Sequence, residues 1–335
     1  MANLSTKHMG ISLKNPLILG ASNLVNNVDN LKKAEDAGIA AIVYRSLFEE
    51  QIQLEDYEMG NQLEAYDERH AEMINLFPNL EHAGPKEHLY NLRKAKEAVS
   101  VPLIASINAI YKETWVDYAK QIEETGVDGL ELNFFAVPRD MNKSGHDIID
   151  TQIEFLKAVK AAVKLPVSVK LSPFYTNVLK TVADLDAAGA DGFVLFNRLF
   201  EPDIDVEAEK HAAPWNLSSH SDHRLVIRYA GLLYNNINGS IVANNGIYEG
   251  VDIVKMLLAG ANAVESVSTF YHNGIKHVTE MLTELEEWMD RKGYKSIEDF
   301  QGSLSAKSIN DPFVYKRAQY IDMILKSEDY FNPIV

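Results

Sequence analysis

Lys170 is the side chain with the most chemistry to account for. It sits in PVSVKLSP, where Val167, Val169 and Leu171 surround Ser168 in the manner of a strand buried among neighbours. A lysine there needs a partner. Three roles satisfy it: a structural ion pair, a Schiff-base nucleophile, or a cation set against an electron-rich cofactor. Other apolar runs also end in hydrogen-bonding groups, namely Ser22, Arg45, Ser106, Asn108, Asn133, Asn197, Asn245 and Ser268. A polar rim facing water explains any one of them; a ligand cleft explains them together. Asn245-Gly246 forms a turn that exposes backbone N–H groups ahead of a helix, which suits an anion such as phosphate, with Val267 and Ser268 close behind in the chain. Metal chemistry finds no support. The histidines lack His-x-x-x-His spacing, and the cluster His211, His220 and His223 reads as loop, with His220 a minor candidate for proton transfer.

The elements that position these residues come from an internal repeat. A helical stretch ends at glycine, and an apolar strand follows within two residues. The copies are Ala34 to Arg45, Ile122 to Phe134, Leu185 to Asn197 and Leu257 to Ser268, with cap glycines Gly38, Gly126, Gly189 and Gly260. Between them lie further apolar runs, Leu17 to Ser22, Pro102 to Asn108, Pro166 to Leu171 and Ser240 to Asn245. The two sets alternate into an α/β fold, a single (β/α)8 TIM barrel. An open doubly wound sheet shares the grammar, but no Gly-x-Gly-x-x-Gly turn follows the first strand. Long connections are predicted after strands 2, 4 and 6, at the carboxyl ends where barrel sites lie. Val278, Met281, Leu282 and Leu285 mark the eighth helix. Residues 294–335 read as a tail packed on the barrel, so that residues 1–335 form one domain.

Composition narrows the partners. The net charge of -16 repels nucleic acid and anionic membrane surfaces, although a local basic patch can still hold a small anion. The sequence contains no cysteine, which excludes disulfides, thiolate metal sites and a catalytic thiolate within this chain. Any iron–sulfur relay would belong to a separate chain. No run approaches the roughly 18 apolar residues of a membrane span, and the N-terminus lacks a signal-peptide pattern, so a soluble, cytoplasmic protein is expected.

At these residues the sequence resembles the dihydroorotate dehydrogenase family, and is similar to its soluble cytosolic branch. The matches run in order: LKNPLILGAS, PNL (Pro78 to Leu80), ASI (Ala105 to Ile107), ELN (Glu131 to Asn133), VKLSP (Val169 to Pro173), and NGI with AGANAV across the last two strands. The resemblance implies FMN at the barrel mouth and oxidation of dihydroorotate to orotate in pyrimidine biosynthesis. Ala21 and Ser22 would face the flavin, and Ser106 and Asn133 would bond its ring or the substrate. Asn197 joins this cofactor-binding set. Lys170 would stabilise the reduced ring, while Asn245, Gly246, Val267 and Ser268 would cradle the phosphate. Arg45 replaces the usual second-strand lysine and would recognise an anionic small-molecule substrate. Family members commonly pair, so a homodimer is expected. The acceptor stays open among fumarate, a quinone and another subunit.

One departure bears on the reaction. The family places a Cys or Ser proton acceptor three residues after the Asn of ELN, and here Ala136 occupies that position. Alanine cannot take a proton, so a changed substrate is weighed against a base elsewhere, with Asp140, Ser144 and His146 on the same loop as candidates. The upstream substrate asparagine has only Asn75 or Asn79 to offer. Two other readings remain from the residues: a Schiff-base lyase using Lys170, and a non-catalytic barrel binding a phosphorylated ligand.

Overall fold

The computed structural model describes residues 2–53, 85–135, 138, 140–198, 201–214 and 216–326. The chain opens with a hairpin, β1 (Thr6–His8) and β2 (Ile11–Leu13), paired antiparallel. The barrel strands follow: β3 (Leu17–Leu19), β4 (Ala41–Phe48), β5 (Leu103–Asn108), β6 (Gly129–Asn133), β7 (Val167–Leu171) and β8 (Gly192–Leu195). After an exposed second hairpin, β9 (Asp203–Asp205) and β10 (Lys210–Ala212), come β11 (Ser240–Asn244) and β12 (Ala263–Ser266). Barrel neighbours pair in parallel, and β12 returns to β3 to close the ring. A closed parallel barrel is the solution the glycine-strand repeat predicts, because every strand needs apolar cover on its outer face.

Helices supply that cover: α1 (Val28–Ala37), α2 (Pro85–Ala98), α3 (Lys112–Glu123), α4 (Gly145–Ala162), α5 (Val178–Ala187), α6 (His223–Leu233), α7 (Gly250–Ala259), the short α8 (Ser268–Asn273) and α9 (His277–Lys292). Gly38, Gly126, Gly189 and Gly260 all have positive φ, the geometry that turns a helix end back toward the sheet. Strand residues such as Leu17, Leu19 and Ile42 point out to helix residues such as Leu31 and Leu285 in one continuous core. Each such burial contributes about 1.5–3 kcal/mol. Their alternates Ile18, Ala41, Val43, Ile104, Val194, Val242 and Ala263 face inward and meet Met9 and Leu13 of the first hairpin.

That hairpin plugs the amino-terminal end of the barrel, a feature the repeat does not predict. Its side chains fit because the facing strand positions are small. A Cβ on Gly129 would lie 2.9 Å from Met9 Cε, and one on Gly192 would lie 2.6 Å from His8 Cε1. Beyond α9, Tyr294 and Phe300 stack with Trp288, and Phe300 is buried, while α10 (Ala318–Leu325) exposes Tyr320, Met323 and Leu325. No helix of the described residues is long and apolar enough to cross a membrane.

Candidate active site

At the carboxyl ends of the strands lies a cavity of about 580 Å³, within the range of roughly 300–1,000 Å³ typical of cofactor and ligand pockets. Ala21, Ser22, Arg45, Asn133, Lys170, Asn197, Asn245, Gly246, Val267 and Ser268 all line it. They come from most of the barrel strands and are far apart in sequence, so barrel closure alone brings them together. Ser106 lies deeper. It is fully buried, and its hydroxyl shares a 2.7 Å hydrogen bond with Ser46 and donates at 3.2 Å to Glu131 Oε1. Asn108 also serves the scaffold, donating to the carbonyls of Asn133 (2.6 Å) and Phe135 (2.9 Å).

Ser46 lines the cavity beside Arg45 and was not singled out from the sequence. Strict alternation along β4 would send one of two adjacent residues outward. The pairing of β4 with β5 slips between Val43 and Ser46, and such an irregularity re-aims side chains. Ser46 then accepts from Asn133 Nδ2 at 3.3 Å, and Asn133 Oδ1 accepts from Asn197 Nδ2 at 2.7 Å. A polar mesh therefore crosses the cavity floor from β4 to the end of β8.

Lys170 has the partners its burial demands. Its Nζ lies 2.8 Å from Glu265 Oε2 and 3.8 Å from Glu131 Oε1, and both glutamates are 1% exposed. Burial opposes the charge on Lys170, but Glu131 and Glu265 together hold its pKa above the ordinary value. Burial, reinforced by the negative charge of Glu265 and only partly offset by Lys170, pushes the Glu131 carboxyl up to about 8. The sequence does carry a signal for this pair. ELN and VES each set a glutamate within an otherwise apolar barrel strand, as VKL sets its lysine.

The wall at the ends of β11 and β12 is a tight turn packed against the start of α6. Asn245 and Gly246 have φ of 80° and 69°, and a Cβ on Gly246 would lie 2.6 Å from the backbone N of His223. Asn245 Nδ2 donates to Phe196 O at 2.7 Å, which fixes the turn. Ser268 Oγ accepts from the backbone N and the hydroxyl of Ser218, at 3.0 and 2.8 Å. Arg198, another residue missed in the sequence, braces this wall through Asp222 (2.6 Å) and Asn216 Oδ1 (2.7 Å).

The remaining described candidates do not line the cavity. His220 is exposed and stacks on Tyr248. His211 sits on exposed β10, and His223 packs beside Gly246. Ser144 caps α4 by accepting from the backbone N of Asp147, His146 is exposed beside Asp150, and Asp140 is exposed. Ala136, Asn75, Asn79 and the PNL segment lie outside the described residues. Among the described residues no cluster of His, Asp or Glu could hold a metal ion.

Residues 3–289 match the family model described as dihydroorotate dehydrogenase. The chain belongs to the dihydroorotate dehydrogenase family. It is 27% identical over 311 residues to the catalytic subunit of dihydroorotate dehydrogenase B (NAD(+)) from Thermoplasma volcanium, covering 90% of this chain and 98% of the relative. The corresponding subunit from Methanocaldococcus jannaschii is 28% identical over 278 residues, covering 81% and 88%. Dihydroorotate dehydrogenase A (fumarate) from Lactobacillus helveticus is 28% identical over 211 residues, covering 61% and 68%. The family consists of FMN-dependent oxidoreductases acting on CH–CH bonds. The residues present fit that cofactor: the positive-φ turn at Asn245 and Gly246 lines the cavity with Ser268, and buried Lys170 reaches the same cavity.

Proposed function

We propose that this chain is an FMN-dependent oxidoreductase that takes a hydride from a small anionic substrate, with dihydroorotate the first compound to test. The observation that carries the reading is the charged Lys170 at the floor of a cavity that is also lined by the Asn245-Gly246 turn and Ser268. Asn245, Gly246, Val267 and Ser268 would hold the phosphate, and Ala21 and Ser22 the ring edge. FMN supplies the hydride acceptor. Lys170 places positive charge where electrons arrive, and a low-dielectric site makes such a charge count for more than it does in water. Arg45 recognises the substrate anion, while Asn133, Ser46 and Asn197 orient its polar edge.

The ion pair with Glu265 weighs against a Schiff-base role, because a lysine held protonated has no free electron pair to attack a carbonyl. Ala136 in place of a Cys or Ser acceptor leaves proton removal to another group and favours a changed substrate over dihydroorotate itself. We place the site within one domain spanning residues 1–335, in a cytoplasmic protein that pairs with a second copy.

The test is an anaerobic absorbance titration of the FMN-loaded protein. Prompt bleaching by dihydroorotate would establish the family reaction. Bound flavin that stays oxidised would point to a different substrate, and failure to bind FMN would overturn the proposal.

A further inference from the structure

We propose that Glu131 holds a proton beside the Lys170–Glu265 ion pair, and that this proton keeps the cavity floor neutral when negative charge arrives above it. The inference rests on the flavin reading for what sits above the floor; the proton itself does not depend on it.

The geometry sets two carboxylates against one cation. Glu265 pairs directly with Lys170, whereas Glu131 stands a further ångström away and is fully enclosed by the strands. With all three groups ionised, the buried floor would carry a net negative charge where electrons must be received. One proton removes it. Isolated buried charge is strongly disfavoured, and two carboxylates in one site cannot both ionise freely. Burial and the nearby Glu265 raise Glu131 accordingly, so it is the group that holds the proton at neutral pH.

Every strand around Glu131 bears on this balance. From β5, Ser106 donates to it, and Ser106 is bonded in turn to Ser46 of β4, which lines the cavity. This hydroxyl pair links the buried carboxyl to the cavity and gives the proton a route. From β7 come Lys170 and, directly opposite Glu131 in register, Ser168, whose hydroxyl has no hydrogen-bond partner among the described residues. From β12 comes Glu265. Below, His8 is kept neutral by burial, its pKa lowered to about 4, so it adds no positive charge to the set. Arg45 stands at the rim. Glu131 does not itself line the cavity, so it is a positioning residue that acts through Lys170.

The proton balance makes a definite prediction. A hydride brings two electrons and one proton. Below about pH 8 Glu131 already holds its proton, and reduction takes up one proton. Above that pH Glu131 has ionised; the negative charge added above Lys170 returns a proton from solvent to its carboxylate, and reduction takes up two. The midpoint potential of the bound flavin should therefore fall twice as steeply with pH above about pH 8 as below it. Glu131→Gln, neutral at every pH, should show the shallow slope throughout.

The deciding experiment pairs that potentiometric titration with infrared titration of the apoprotein. Wild type should show the C=O band of a protonated carboxyl at pH 7 that disappears as pH rises through about 8, and Glu131→Gln should lack it. Glu265→Gln provides a second variant: with one carboxylate left to balance Lys170, Glu131 ionises and the band is lost at pH 7. A wild-type apoprotein without the band, or a Glu131→Gln protein that keeps the steep limb, would overturn the inference. Failure to bind FMN would overturn the proposed function and leave the infrared result standing as the test of the proton on Glu131.

Discussion

The two ends of the barrel both bury polar side chains, and they do so to opposite ends. At the amino-terminal end, His8 is buried and neutral, its Nδ1 2.8 Å from Ser240 Oγ, in a space left by Gly192. At the carboxyl end, Lys170 and Glu265, with Glu131 beside them, keep an ion pair in the interior that opens onto a cavity. A neutral, satisfied polar group closes a barrel at little cost. A charged set persists only where every member has a partner, and its natural use is to act on something placed above it. The difference separates residues that hold the fold from residues that serve the site, although both sets are buried polar groups on adjoining elements.

Breaking the upper set should have the largest effect. Lys170→Met leaves Glu265 without its cation, and removing one partner of a buried pair costs about 3–5 kcal/mol. Denaturant unfolding should register that loss, while flavin bleaching by substrate should fall by about a hundredfold or more. An unchanged bleaching rate would separate Lys170 from the chemistry.

The pH dependence of stability should separate the ends next. His8 has a folded pKa of about 4 against 6.5 unfolded, so the unfolded chain binds more protons between these values and stability falls as pH drops from 6.5 toward 4. The shift corresponds to about 3 kcal/mol at most. His88, buried against Tyr44 and lowered to about 3 by burial and the charge of Arg45, adds in the same direction. Glu131 has the opposite sign: the folded state binds more protons between 4.5 and about 8, so stability falls as pH rises through that window. Melting across pH should give a dome whose alkaline side flattens in Glu131→Gln and whose acid side does not.

A smaller effect sharpens the comparison from below. Gly192→Ala drives a methyl into His8, an overpacking cost of about 1–3 kcal/mol. Melting temperature should fall while FMN affinity in the surviving folded protein stays at the wild-type value. A loss of affinity would show that the lower plug also shapes the cavity.

The sequence by itself determined the barrel and most of its rim. Eight short apolar runs alternating with glycine-capped helices, with no Gly-x-Gly-x-x-Gly turn after the first, favour a closed parallel barrel over an open sheet, because helix end and strand start are local properties of backbone conformation and burial. Most polar residues near the ends of the runs were legible for the same reason: side chains at the end of a barrel strand meet the mouth, although Asn108 turns to the scaffold. Tertiary structure alone decided the rest. The slip between β4 and β5 turned Ser46 into the cavity and linked it to Ser106, which a strict two-residue alternation does not reveal. The partners of Lys170 were present as letters, but β6, β7 and β12 meet across the barrel interior only once the ring closes. The hairpin that fills the opposite end is made of short strands whose fit depends on two distant glycines, Gly129 and Gly192. Local pattern fixes which elements form; distances between charges on different elements exist only after packing sets them.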